Sequence, residues 1–404
     1  MRYLPLLLLV GFFLWLPRPA HAVGSCEGDF TGDEFVSLPD VVAMGPSFNK
    51  SEGQAGFHPR FDINEDGIVN LSDIIALGPW FNQPCEGGDY VEAWHQTLYT
   101  PSDPDYTFIG VNRYNLLTID TPSFRGCGSD WEDNELATWF DEVEAQGIDV
   151  VRLWLFQRFT ASGTDYSRFD YLLNLADERN IKVIPVLENH QPHCTEAGEK
   201  SESWYDTGYL SPYGNYSLSL KAYTASAVTR YKNDDRIAMW QIMNEAETDD
   251  ATILREFADD LATDIQAIDA NHLVSFGTMG AGQPGAQGED YQTLHALDSI
   301  DICEYHDYGH FDEPIPGDQW NGMQVRLDQC AELDKPIFVG EAGIDLSEEG
   351  ITEQQRADYM DDKISAFLAA GGTGYLYWSY RDRDGADSLE YDSDDPLADV
   401  IASY

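Results

Sequence analysis

Eight short apolar runs, separated by amphipathic stretches of helical period, leave this chain few architectures. The runs are TFIGVNRY (107–114), IDVVRLW (148–154), KVIPVLEN (182–189), IAMWQIMNE (237–245), HLVSFGT (272–278), IDICEYH (300–306), PIFVGEA (336–342) and GYLYWSY (374–380). They are too continuous in apolar residues to have a wet face, which is the pattern of parallel strands covered on both sides. Between them lie helical patterns such as NELATWFDEVEAQG, SRFDYLLNLADERN, ILREFADDLATDIQAI and EQQRADYMDDKISAFLAAGG. Eight such units in about 300 residues fit an α/β fold of the (β/α)8 TIM-barrel type, with a doubly wound open sheet as the alternative.

The polar residues of the runs favour the barrel. They collect at the C-terminal ends: Asn112 and Arg113, Arg152, Asn189 and His190, Asn244 and Glu245, His306 and Tyr308, Glu341, and Trp378. In a barrel those ends converge on one mouth, where active sites sit. Glu245 closes the fourth run and Glu341 lies in the seventh, so their carboxylates can face each other across that mouth. Two such acids are the equipment of glycoside hydrolysis. Carboxyl groups about 5–5.5 Å apart retain anomeric configuration, and groups about 6.5–9.5 Å apart invert it.

Residues from about 90 to 404 resemble glycoside hydrolase family 5, within the retaining barrel clan that carries its two glutamates on strands four and seven. The resemblance implies that Glu341 is the nucleophile and Glu245 the acid/base. It implies further that Arg152 pairs with the nucleophile, that His190 is the histidine after strand three, and that Asn244 holds the sugar 2-hydroxyl. His306 and Tyr308 match the strand-six His-x-Tyr, and Trp378 matches the tryptophan that floors the sugar site. Charge sets the roles: Glu341 has to be ionised, helped by Arg152 and the Tyr308 hydroxyl, and Glu245 is expected neutral, its pKa raised by its apolar strand and by Glu341. The chain departs from the family pattern in Glu-Ala-Gly at the nucleophile, and Asn189 competes with His190 for one position.

IGVNRYN and VVRLWLF are more similar to the β-mannanases of the clan than to its cellulases. The expected activity is thus retaining endo-hydrolysis of a plant-type β-1,4-linked polysaccharide, with β-mannan first and β-1,4-glucan second. A non-catalytic carbohydrate-binding or scaffold-docking protein is the reading from another class. Trp131, Trp204, Tyr205, Tyr209, Tyr213 and Trp320 are expected in mouth loops as sugar subsites. Catalysis needs no cofactor. GAGQPG (280–285) matches a dinucleotide fingerprint, but no βαβ unit places an acid on a ribose, so it reads as a glycine-rich loop.

Ahead of the barrel, DFTGDEFVSLPD (29–40) and DINEDGIVNLSD (62–73) repeat at a spacing of 33 residues, each followed by an apolar segment ending in Gly-Pro and an aromatic two residues on or directly after. Oxygen-bearing side chains at loop positions 1, 3, 5, 9 and 12, with a backbone carbonyl at 7, suit calcium. In the second loop these are Asp62, Asn64, Asp66, Ile68, Asn70 and Asp73, and in the first Asp29, Thr31, Asp33, Phe35, Ser37 and Asp40. The pair resembles a dockerin, a small all-α module that binds calcium and docks to a cohesin on a scaffold or cell surface. The first loop departs from the pattern at Thr31, at Glu34 in the turn and at Pro39.

The expected organisation is a signal peptide at 1–22, ending in Ala20-His21-Ala22, then the module at 23–86, a linker at 87–90 and the barrel at 91–404. An exported product, secreted or at the cell surface, follows. Six cysteines suit disulfides in such a compartment, and by neighbourhood Cys26–Cys85, Cys127–Cys194 and Cys303–Cys330 are the expected pairs. The formal charge of −49 excludes nucleic acid and anionic membrane surfaces as partners. It leaves two explanations open, adaptation to high salt and an acidic calcium-binding exoenzyme.

Overall fold

The computed structural model describes residues 28–31, 35–64, 66–84, 88–118, 127, 131–196, 198–381 and 389–404. The expected leader, Asp33 and the Cys26–Cys85 pair lie outside these residues.

The two halves of the N-terminal repeat fold alike. Strand β1 (Phe35–Val36) leads into helix α1 (Leu38–Ala43), and after β2 (Lys50–Ser51) the second half repeats this as β3 (Ile68–Val69) and α2 (Leu71–Ala76), closing with β4 (Gln83–Pro84). Fully buried Asp40 takes the backbone N–H of Thr31 at 3.0 Å and of Ser37 at 2.6 Å. Its counterpart Asp73, also fully buried, takes those of Asn64 at 3.2 Å and Asn70 at 2.7 Å. Each aspartate thereby ties its loop to the first turn of its helix. Phe30, Val36, Met44, Phe61, Val69 and Leu77 form a small core beneath. The module is not all-α as expected: β1 pairs with β4 and β2 with β3, both antiparallel. The β-branched and aromatic residues before each helix favour extended backbone, and pairing satisfies peptide groups that would otherwise be buried unbonded.

A hairpin of β5 (Glu92–Trp94) and β6 (Thr97–Tyr99) follows, and then the barrel: β7 (Phe108–Asn112), β8 (Val150–Trp154), β9 (Lys182–Val186), β10 (Met239–Gln241), β11 (Leu273–Ser275), β12 (Cys303–Asp307), β13 (Ile337–Ala342) and β14 (Gly374–Trp378). These eight form one parallel sheet in the order β11-β10-β9-β8-β7-β14-β13-β12. A parallel bridge from Ser275 to Ile302 and the Asp301 N–H to Val274 carbonyl bond of 3.0 Å join the two ends, closing the barrel. All eight apolar runs thus supply a strand. The four helical patterns become α3 (Asp133–Glu144), α4 (Ser167–Asp177), α7 (Ala251–Ile268) and α8 (Glu353–Ala369), while the third and fourth strands are joined through α5 (Glu202–Asp206) and α6 (Leu220–Tyr231). GAGQPG is a loop in which Gly280, Gly282 and Gly285 all have positive φ.

Phe108, Val150, Ile184, Met239, Leu273, Ile302 and Phe338 fill the end of the barrel where the strands begin, and Val91 and Leu98 of the hairpin segment seal it. The N-terminal module rests against this floor. His58 Nε2 lies 3.0 Å from the Pro104 carbonyl, Arg60 Nη1 donates to the Pro101 carbonyl at 2.8 Å, and the Phe57 ring meets Trp94. Asp89, in the segment expected as a linker, bonds the barrel: its N–H reaches Asp235 at 2.8 Å and its carbonyl accepts from Lys182 at 2.5 Å.

Disulfides join Cys127 to Cys194 and Cys303 to Cys330, as expected from neighbourhood. Among the described residues no helix is long and apolar enough to cross a membrane.

Candidate active site

The fourth strand stops early so that its last residues can turn into the mouth. β10 ends at Gln241, but Asn244 still bridges to Asn189, and Glu245 follows at φ +48, a left-handed conformation that costs a non-glycine residue energy. The Glu245 N–H bonds the Gly277 carbonyl at 2.9 Å. Gly277 has φ +90, and a Cβ there would sit 1.7 Å from the Met243 carbonyl oxygen, so only glycine lets the fifth strand approach this turn.

Arg152 organises the floor of the mouth. Its guanidinium donates to Glu341 Oε1 at 2.7 Å, Asn112 Oδ1 at 2.8 Å, Asn244 Oδ1 at 2.7 Å and Gln241 Oε1 at 2.8 Å. The Tyr308 hydroxyl donates to the other oxygen, Glu341 Oε2, at 2.8 Å. His306 Nδ1 lies 2.7 Å from Glu245 Oε1 and 3.7 Å from Glu341 Oε2. A Glu245 oxygen, a Glu341 oxygen and a His306 nitrogen all come within 4.8 Å of one another. That spacing belongs to the retaining class, since inversion needs room for a water between the acids.

The protonation pattern differs from the expectation that Glu245 is raised. Burial does favour its neutral form, but the His306 hydrogen bond and the charges of His306, Arg152 and His190 outweigh burial, and its pKa is lowered. Glu341 is raised: burial leads, resisted by His306 and Arg152 and reinforced by Glu245. Burial also opposes charge on His306, yet Glu341, Glu245 and Glu304 together push it up to about 10. Both shifts favour a proton on His306 over one on Glu245, which it contacts. Tyr308 stays a phenol, because burial of its hydroxyl and the charge of Glu341 hold it well above its ordinary value.

The remaining expected residues line the walls. His190 is buried, its Nδ1 2.8 Å from the Tyr205 hydroxyl and its Nε2 3.5 Å from Glu247, and it touches neither Glu245 nor Glu341 through a hydrogen bond. Asn189 accepts from Asn244 Nδ2 at 3.1 Å. Trp378 is half-buried and lies parallel to Tyr114, 5.4 Å between ring centroids with an interplanar angle of 2°, giving the mouth an aromatic wall. Arg113 turns aside, over the Trp131 ring and toward Glu390. Of the aromatics expected as loop subsites, Trp131, Tyr205 and Tyr209 are buried and Trp204 and Tyr213 pack against the core. Trp320 alone of the six is open, at 65 % exposed.

Sequence reading missed Glu304, Gln241 and Tyr114 as site residues. Gln241 and Glu304 each carried a signal, a polar side chain inside an apolar run, with Glu304 two residues from His306 and so on the same strand face.

A family model described as GH family 5 beta-mannosidase-like matches residues 219–370. The chain is 24% identical over 311 residues to mannan endo-1,4-beta-mannosidase A of Podospora anserina, covering 65% of this chain and 79% of that one. It is 25% identical over 323 residues to mannan endo-1,4-beta-mannosidase 1 of Arabidopsis thaliana, covering 67% and 76%. The chain is a glycoside hydrolase. Its fold is shared with the endo-beta-1,4-mannanase of Thermotoga petrophila, at a TM-score of 0.60 and 20% identity over 74% of this chain and 76% of that one. The matched residues 219–370 include both Glu245 and Glu341.

Proposed function

We propose that the protein is a retaining endo-β-1,4-mannanase, with residues 91–404 as its catalytic unit and residues 23–86 as an accessory calcium module. The observation that carries the reading is the meeting of Glu245 and Glu341 oxygens within 4.8 Å, one beside His306 and the other beside Arg152 and Tyr308. The names of the Podospora and Arabidopsis relatives support mannan as substrate.

In this mechanism Glu341 attacks the anomeric carbon, and the glycosidic bond breaks as the proton shared by His306 and Glu245 passes to the leaving oxygen. Glu245 then takes a proton from water, whose oxygen displaces Glu341 and restores the starting state. Arg152 and Tyr308 hold Glu341 in line and disperse its charge. Asn244 is placed to bind the sugar 2-hydroxyl, His190 lines the mouth, and Trp378 with Tyr114 offers an apolar face to a sugar ring.

Hydrolysis should be measured on mannan, glucomannan, carboxymethylcellulose, xylan and aryl glycosides. Shortening of mannan chains by the wild type and its loss in Glu341→Gln support the reading. Turnover retained by that variant, or cleavage of aryl glycosides alone, overturns it.

For the module, calcium is proposed in the second loop. Asp62, Asp66 and Asp73 crowd there, and Asp62 is raised by burial and by its two acidic neighbours, a concentration of charge that a hard cation would relieve. Asp62, Asn64, Asp66, the Ile68 carbonyl, Asn70 and Asp73 would hold it, and the first loop follows through Asp29, Thr31, Asp33, Phe35, Ser37 and Asp40. A cohesin-like partner is supported by a surface that repeats with the sequence: Phe35, Leu38 and Val42 are exposed, and so are Ile68, Leu71 and Ile75 at the equivalent places. Export is supported by the apolar leader and by the disulfides.

A further inference from the structure

A third carboxylate lies directly beneath the catalytic pair. Glu304 is fully buried and has a partner on every side. Its Oε2 accepts from Gln241 Nε2 at 2.6 Å and from Ser275 Oγ at 2.6 Å, and its Oε1 lies 3.2 Å from His306 Nε2. His306 thus stands between two carboxylates, with Nε2 toward Glu304 and Nδ1 toward Glu245. Gln241 carries the connection the other way, since its Oε1 accepts from Arg152, which grips Glu341. The neighbouring seventh strand leaves room for this acid: a Cβ at Gly340 would fall 1.9 Å from Glu304 Oε1, so the residue before the nucleophile has no side chain.

We infer that Glu304 is a positioning residue that fixes the hydrogen of His306 on Nε2, keeps Nδ1 turned to Glu245, and thereby holds the transferable proton of the reaction on the His306–Glu245 pair. The inference rests on the proposed retaining mechanism and deepens it. A neutral imidazole has one N–H and one lone pair. With Glu304 ionised, the N–H must face Glu304, and the second proton is shared between Nδ1 and Glu245 Oε1. In glycosylation that proton leaves to the departing oxygen, and the Nδ1 lone pair is left facing the Glu245 carboxylate. The repulsion makes the pair a stronger base, which recovers a proton from the attacking water. Glu304 keeps its own charge throughout: burial opposes it, but His306, Arg152 and Ser275 outweigh burial and lower its pKa. The charged and titratable groups around His306 are Glu304 and Tyr308 from its own strand and the following turn, Glu341 from β13, Glu245 after β10, His190 after β9 and Arg152 from β8.

The test is the pH profile of kcat/KM on a soluble mannan, read in the full chain. In Glu304→Gln the alkaline limb, which reports loss of the shared proton, moves down by about one pH unit or more. In 15N-histidine NMR followed through the alkaline range, the pH at which His306 loses the hydrogen of its second nitrogen falls by the same amount in the variant. An alkaline limb and an NMR pattern that stay unchanged, whatever the loss of turnover, overturn the inference and leave the mannanase reading standing. A wild type without mannan hydrolysis defeats that reading instead, while the NMR still decides the role of Glu304. If Glu304→Gln does not fold, Ser275→Ala decides: losing one donor makes the carboxylate more basic, so the limb rises, and an unmoved or lowered limb overturns the inference.

Discussion

His306 bonds Glu245 across the mouth, Nδ1 to Oε1 at 2.7 Å, from a strand two places away in the barrel. The contact has a stability consequence of definite sign. The folded His306 binds its proton up to about pH 10 against an ordinary value of 6.5, a raised pKa. It therefore stabilises the fold fully below pH 6.5, and that stability is lost as pH rises toward 10. Thermal unfolding followed from pH 6.5 to 10 should show a falling Tm, and His306→Gln should flatten the fall. A variant with the wild-type slope contradicts the assignment.

Arg152→Met should damage both fold and turnover. It removes the guanidinium bonded to Glu341, which is only 4 % exposed, and frees three amide oxygens. Breaking a buried pair in this way costs about 3–5 kcal/mol, readable in urea unfolding, and kcat should fall by a factor of ~10³ or more because Glu341 loses its orientation. Loss of activity with unchanged stability contradicts the buried-pair picture.

Glu341→Ala and Glu245→Ala should respond differently to added azide. With the nucleophile gone, azide attacks from the vacated face and yields a glycosyl azide of inverted configuration. With the acid/base gone, azide replaces water in the second step and the configuration is retained. Product stereochemistry by NMR checks both, and identical outcomes would exchange or erase the two roles.

The Cys127–Cys194 disulfide closes a chain separation of 67 residues beside Trp154, Phe156 and Val186, next to the aromatic wall. Replacing both cysteines by serine should cost about 4 kcal/mol by loop entropy. The cost should appear as a lowered denaturation midpoint.

Calcium at saturating excess should raise the Tm of the wild type, with about 2.7 kcal/mol gained at a hundredfold excess over Kd. Asp73→Ala should remove most of that gain and Asp40→Ala should reduce it less. Calorimetry with calcium or chelator provides the readout. Because the chain carries a formal charge of −49, the same scans should also rise from low to molar sodium chloride as self-repulsion is screened.

Much of the barrel is legible in the sequence because a strand buried on both faces has no choice but a continuous apolar run, and all eight runs became strands. Polar residues at the ends of those runs located the mouth for the same reason: a polar group there needs a partner or a ligand. What escaped were properties of distance. Glu304 stands 3.2 Å behind the His306 imidazole, and its place two residues earlier in the run gives the shared face but not that contact. The aromatic loops misled because Tyr205 and Tyr209 look alike in sequence whether they stack on a sugar or, as here, pack edge to face with Phe257. The small ladders of the module escaped because a strand of two residues has no period.

The hairpin at 92–99 and the repeat module lie under the barrel, at the end away from the strand termini that carry the acids. An attachment made through the module would hold the molecule by its base. The cleft would then look outward from whatever surface bears it, free to meet a polymer too large to move, with no need for the grip and the bite to share a face.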